Sequence, residues 1–197
     1  MSKSFKRKLK VRRLKKTYLV VCEGACEELY FKGLKRCEQL KNINVEVINP
    51  SISTPYEIFR YAGEELMKRE YDAVFCVIDG DVLGNKEDTG KKAKRKGVTA
   101  IVSRPCFELW FLLHYKYTSR EFHNCGELIS KELLKFIPDY EKSKRYHAKK
   151  YFYIILKASL ETAMLNAGKL ENENMKNNKP TGTSTDIYKL VKQILQS

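Results

Sequence analysis

The chain is poor in the features that mark membrane and secreted proteins. Its apolar runs are short: Tyr18 to Cys22 and Leu109 to Leu113 hold five residues each, far from the roughly 20 needed to cross a bilayer. No apolar segment follows the basic N-terminus, so no secretory signal is expected. The six cysteines, at 22, 26, 37, 76, 106 and 125, include no Cys-x-x-Cys pair. Reduced thiols in a cytoplasmic protein are therefore the expectation. The spacing of His114, His123 and Cys125 matches no common zinc finger. A Walker A motif is missing, so the chain does not read as a P-loop ATPase.

Acidic residues are missing from one place in particular. Residues 1–16 hold nine Lys or Arg and no Asp or Glu. The whole chain of 197 residues has a formal charge of +14, so only +5 belongs to the remaining 181. Lys8, Lys10, Arg12, Arg13, Lys15 and Lys16 are the expected phosphate contacts of a basic arm facing DNA or RNA. A solvated tail explains the same composition. A membrane-surface helix does not, because Val11 and Leu14 supply too little apolar face.

What is present is an alternation of strand and helix patterns. Thr17 to Cys22 is a β-branched and aromatic run that ends at Glu23-Gly24, and reads as a buried strand. Ala25 to Leu40 carries Tyr30, Leu34 and Cys37 on one helical stripe. Asn44 to Ile48 alternates with period two. Thr54-Pro55 opens a helix, with Thr54 as N-cap and Pro55 in the first helical position. Asp72 to Ile78 is the most apolar strand and runs into Asp79-Gly80-Asp81. Residues 83–97 read as an exposed loop with a short helix near 87–95, and KKAKRK at 91–96 offers a second cationic stretch. Val98 to Val102 is a further strand. Pro105 starts a helix carrying Phe107, Leu109, Trp110, Leu112 and Leu113, more core-like than a base-stacking platform. Three more helices are predicted at 127–137, 146–169 and 184–196, with a polar loop over 169–185 in which Thr183, Ser184 or Thr185 can cap the last helix. This order predicts an α/β fold: a mainly parallel sheet flanked by helices, with a C-terminal helical addition. The organisation expected is an arm (1–16), an α/β core (17–118), and a helical part of the same domain (119–197).

Function in such sheets collects beyond the carboxyl ends of the strands. Two strand ends here carry acids. The first delivers Glu23, with Glu27 one helical turn later, and the third delivers Asp79 and Asp81. Glu108 is a lone acid in an apolar run and is expected in the first or second turn of its helix. Carboxylates crowded in one crevice repel and raise each other's pKa values unless a cation compensates. Hard oxygen ligands favour Mg²⁺ or Mn²⁺ over zinc, which suits phosphoryl chemistry on a polyanion. Arg104, near the end of the fourth strand, is a candidate phosphate contact or the partner of a local acid. His114 reads as a packed or capping histidine.

The stretches VVCEGACEELYF (20–31), FCVIDGDV (75–82), SRPCFELWFLLH (103–114) and TDIYKLV (185–191) together resemble the RloB-like family, whose core looks like a Toprim domain. The resemblance covers most of the chain beyond the arm. It implies that Glu23 is the first-strand glutamate and that Asp79 and Asp81 are metal aspartates, catalytic on nucleic-acid phosphodiesters. By likeness to OLD-type nucleases, Glu27 stands where a second glutamate assists a second metal. Glu108 matches the acidic position of the family's PCFELW stretch. The implied function is a metal-dependent nuclease in prokaryotic antiviral defence, often beside an AAA-type ATPase partner. The alternative is a non-catalytic nucleic-acid-binding or sensing subunit. Two departures stand out. Ala25-Cys26 replaces the Lys-Thr pair usual before the second glutamate, and Leu83 stands where a third aspartate would extend the Asp-x-Asp.

Overall fold

A computed structural model of the protein describes residues 15–51, 54–80, 97–179 and 182–197. Five strands form one sheet in the order β2-β1-β3-β4-β5. They are β1 (Lys16–Cys22), β2 (Ile43–Ile48), β3 (Ala73–Asp79), β4 (Val98–Arg104) and the short β5 (Ser184–Thr185). The first four pair in parallel, and β5 adds antiparallel to β4 through Ser103 opposite Thr185 and Arg104 opposite Ser184. The fold is therefore α/β with a mostly parallel sheet, flanked by helices and followed by a helical region.

The alternation of side chains along each strand builds two cores. On β1, Tyr18, Val20 and Cys22 face one side, joined there by Phe75, Val77 and Ile101. Leu19 and Val21 face the other, joined by Val74, Cys76, Ile78 and Val102. The second face is covered by α2 (Pro55–Lys68), which buries Ile58, Phe59 and Ala62. Thr54 caps this helix as expected: its hydroxyl accepts from Glu57 N and donates to the Glu57 carboxylate at 2.6 Å.

The first face is covered by α1 (Ala25–Cys37) and α3 (Glu108–Tyr115), then by the later helices. These are α4 (Cys125–Lys131), α5 (Lys144–Lys150), α6 (Phe152–Leu156), α7 (Leu160–Lys176) and α8 (Ile187–Leu195). Phe107, Leu109, Trp110, Phe111, Leu112 and Leu113 are all buried, so the stretch is core on nearly every azimuth. Residues before and after 118 share this core.

The structure corrects several local expectations. The helix expected at Pro105 begins at Glu108, because β4 runs to Arg104 and Phe107 is the N-cap. The single helix expected over 146–169 is broken at Tyr151, which takes a left-handed conformation (φ 50°) and so ends α5 before α6 begins. Helix α7 then runs to Lys176, through the first part of the predicted loop. Ser184 and Thr185 form a strand instead of opening the last helix, and Thr185 Oγ1 accepts from Ile187 N at 3.2 Å. The largest correction concerns the thiols: Cys106 and Cys125 form a disulfide, with Cα atoms 5.5 Å apart. The segment expected near 87–95, the 91–96 cations and most of the arm lie outside the described residues.

Candidate functional site

Parallel pairing of β1, β3 and β4 brings their carboxyl ends to one edge, and the acids arrive there in register. Glu23 follows β1 directly. Its Oε2 accepts from Asp79 N at 3.1 Å, while Glu23 N donates to Val77 O. Asp79 is the last residue of β3, and its Oδ1 accepts from Phe107 N at 2.8 Å. Each carboxylate thus fastens the neighbouring strand end. Gly80 makes the close approach feasible: its N–H reaches Ser103 O and Pro105 O, and a Cβ there would lie 2.3 Å from Arg104 Cγ.

Glu27 enters from the first turn of α1, a position that the helix dipole favours for an acid. It is buried, and its Oε2 has no hydrogen-bond partner. Gly24 leaves the space it occupies, since a Cβ at 24 would stand 2.6 Å from that oxygen. Glu108 enters as the first residue of α3 and is 1% exposed. Its Oε1 accepts from Tyr140 Oη at 2.7 Å and pairs with Lys142 Nζ at 3.3 Å.

The four acids act on one another electrically. Burial pushes Glu27 up to about 7, with Glu108 and Glu23 adding to the effect. Burial likewise pushes Asp79 up to about 8, reinforced by Glu27 and Glu108. Lys142 opposes both shifts. Its own burial lowers its pKa, but Glu108 and Asp79 outweigh this and hold it above the ordinary lysine value. Among the described residues, Glu27, Asp79 and Glu108 thus share one ammonium, Lys142, and a divalent cation would favour their ionised forms together. An orphaned buried carboxylate oxygen and an all-oxygen donor set fit Mg²⁺ or Mn²⁺.

Of the predicted site residues, the structure brings together Glu23, Glu27, Asp79 and Glu108. Asp81, Lys8, Lys10, Arg12 and Arg13 lie outside the described residues. Lys15 is exposed, and Lys16 begins β1 opposite Ile43, at the far end of the strand from Glu23. Six residues of strand separate the two, roughly 20 Å at the usual rise. Arg104 does not join the acids. It lines a cavity of about 440 Å³ with Glu171, Asn174, Lys179, Ser184 and Asp186. Burial lowers its pKa, and the charge of Asp186 opposes that. His114 is a packed histidine: its Nδ1 meets Trp110 O at 2.8 Å, and burial pushes its pKa down to about 4.

Sequence reasoning missed Tyr140 and Lys142, which lie in a polar connection with no periodicity to mark them. It also missed Cys125 as a neighbour of the acids. The disulfide places Cys125 Sγ 3.2 Å from Glu108 Oε2.

No helix among the described residues is long and apolar enough to cross a membrane. Comparison with curated proteins and with solved structures returns no match. A family model described as RloB-like protein matches residues 18–194, which takes in all of the sheet but the first two residues of β1, and all four clustered acids, and the chain therefore belongs to the RloB-like family.

Proposed function

We propose that this protein is a metal-dependent, nuclease-like enzyme of Toprim type that acts on nucleic-acid phosphodiesters. The observation that supports the reading best is the convergence of Glu23, Glu27, Asp79 and Glu108 at the carboxyl edge of the sheet, with Lys142 as their counter-charge. Glu23, Glu27, Asp79 and Glu108, together with Asp81, would hold Mg²⁺ or Mn²⁺, which supplies charge neutralisation at a phosphodiester and activation of water.

The chain's own residues do the rest. The hydrogen bonds of Asp79 to Phe107 N and of Glu23 to Asp79 N fix two carboxylates before substrate arrives. Tyr140 fixes a third by donating to Glu108. Such preorganisation spares the site reorganisation at the moment of reaction. The basic arm holds nucleic acid by its phosphates, because the acidic edge would otherwise repel it. Lys15 and Lys16 lie at the opposite end of β1 from Glu23, so these two lysines engage phosphates distant from the reacting one. Arg104 serves as a further phosphate contact beside β5. Work in prokaryotic phage defence beside an AAA-type ATPase completes the proposal and rests on the likeness of the motifs.

Purified protein incubated with DNA and with RNA in Mg²⁺ or Mn²⁺ tests this directly. Metal-dependent cleavage that is lost in an Asp79→Ala, Asp81→Ala double variant is the expected result. Equal cleavage by that variant overturns the proposal. Tight nucleic-acid binding without turnover in either protein assigns the chain to a sensing role.

A further inference from the structure

The cysteine pair lies beside one of the clustered acids. Cys106 lies between β4 and α3, Cys125 opens α4, and both are buried. Glu108 stands beside them, so that Cys106 Sγ, Cys125 Sγ and one Glu108 carboxylate oxygen all fall within 4.8 Å of one another. Cys125 Sγ is 3.2 Å from Glu108 Oε2. A disulfide sulfur carries no proton, so in the oxidised form this contact sets two electron-rich atoms side by side. The reduced form can relieve that crowding with a cation.

We propose that, when reduced, Cys106, Cys125 and Glu108 form a zinc site. Two thiolates and a carboxylate are a borderline-soft donor set that suits Zn²⁺ and not Mg²⁺. With Zn–S bonds of about 2.3 Å, tetrahedral geometry separates the two sulfurs by about 3.8 Å. Cα atoms 5.5 Å apart permit that separation without moving either element far. Three protein ligands leave the fourth position to water. Tyr140 Oη, which donates to Glu108 Oε1, orients the carboxylate from behind as an outer partner.

The chemistry balances simply. A dithiol reductant gives two electrons and two protons to the S–S bond and leaves as its own disulfide. The two thiol protons depart when Zn²⁺ binds. Oxidation and zinc binding thus exclude each other, and each decides whether Glu108 is available to the neighbouring acids. The proposal rests on the cysteine pair and requires no hydrolytic activity.

The test uses the full-length, metal-free protein with Co²⁺ as a spectroscopic stand-in for zinc. After reduction by a phosphine, one equivalent of Co²⁺ gives a thiolate-to-cobalt charge-transfer band, which Zn²⁺ abolishes and excess Mg²⁺ does not. The oxidised wild type gives no band, a control that needs no substitution in the core. A Cys106→Ser, Cys125→Ser variant also gives none. Glu108→Gln, which removes a ligand, weakens Co²⁺ binding, and Cys26→Ser keeps the band. A reduced wild type without the band, or a double variant that retains it, overturns the proposal.

Discussion

Two groups of buried and half-buried acids are treated in opposite ways. On α4 and just after it, Glu127 and Glu132 meet a surplus of cations. Glu132 is 5% exposed and pairs with Lys116 at 3.1 Å, Arg120 at 3.2 Å and Lys135 at 3.2 Å. Glu127 pairs with Arg120 and with Lys131 at 2.9 Å, and accepts from His123 N. That backbone bond, aided by Lys131, pushes Glu127 down to about 2, and hydrogen bonding from Lys116 lowers Glu132. At the sheet edge, among the described residues, Glu27, Asp79 and Glu108 share Lys142, and the shifts of Glu27 and Asp79 run upward. The first group is complete as it stands and fastens α4 to the body of the protein. The second holds a Glu27 oxygen without a hydrogen-bond partner and two acids pushed upward, and these are the observations behind the cation site we propose there.

The comparison breaks most visibly through activity. Asp79→Asn removes one clustered charge while the Asp79 N–H that braces Glu23 stays, and cleavage should fall on the order of 10²–10³-fold, measured as single-turnover rates in Mg²⁺. Glu132→Gln should leave that rate unchanged. Stability should move the other way. Glu132→Gln breaks a satisfied network and costs about 1–2 kcal/mol, read by urea unfolding. Glu27→Gln, in metal-free buffer, should raise stability, because it removes a buried charge with an unpartnered oxygen.

The two groups also predict pH slopes of opposite sign. Glu27 and Asp79 have folded-state values raised to about 7 and about 8, above those of the unfolded chain. Their contribution is fully present at pH 3 to 4 and is lost as pH rises toward 8. Glu127 is depressed to about 2, so its contribution is present above about pH 4.5 and is lost as pH falls toward 2. Thermal melts of the metal-free protein between pH 5 and 8 should therefore show stability falling with pH. Saturating Mn²⁺ should flatten that slope. The smallest effect concerns Gly24. Gly24→Ala displaces the Glu27 carboxylate through a 2.6 Å contact, and should weaken Mn²⁺ binding by about tenfold with little change in unfolding midpoint.

Much of the sheet edge was legible in the sequence because local signals placed it. Short apolar, β-branched runs located β1, β3 and β4, and the acids ending β1 and β3 could only gather at one edge once the strands were parallel. Glu108 was legible as a lone charge in an apolar helix, although its helix begins three residues later than Pro105 suggests. Lys142 and Tyr140 were not, because they reach the site by tertiary packing from a connection without a pattern. The break at Tyr151 was hidden for another reason: an apolar stripe continues through it, and only its left-handed backbone ends α5. The disulfide was missed because cysteine usage was read from compartment, whereas pairing depends on which side chains the fold brings within reach.

Anomalous diffraction from a crystal soaked in Mn²⁺ tests the central claim most directly. The account predicts a peak coordinated by oxygens of Glu23, Glu27, Asp79 and Glu108, with Glu27 Oε2 no longer without a partner. No peak at that edge, with the four carboxylates unmoved at saturating Mn²⁺, would contradict it.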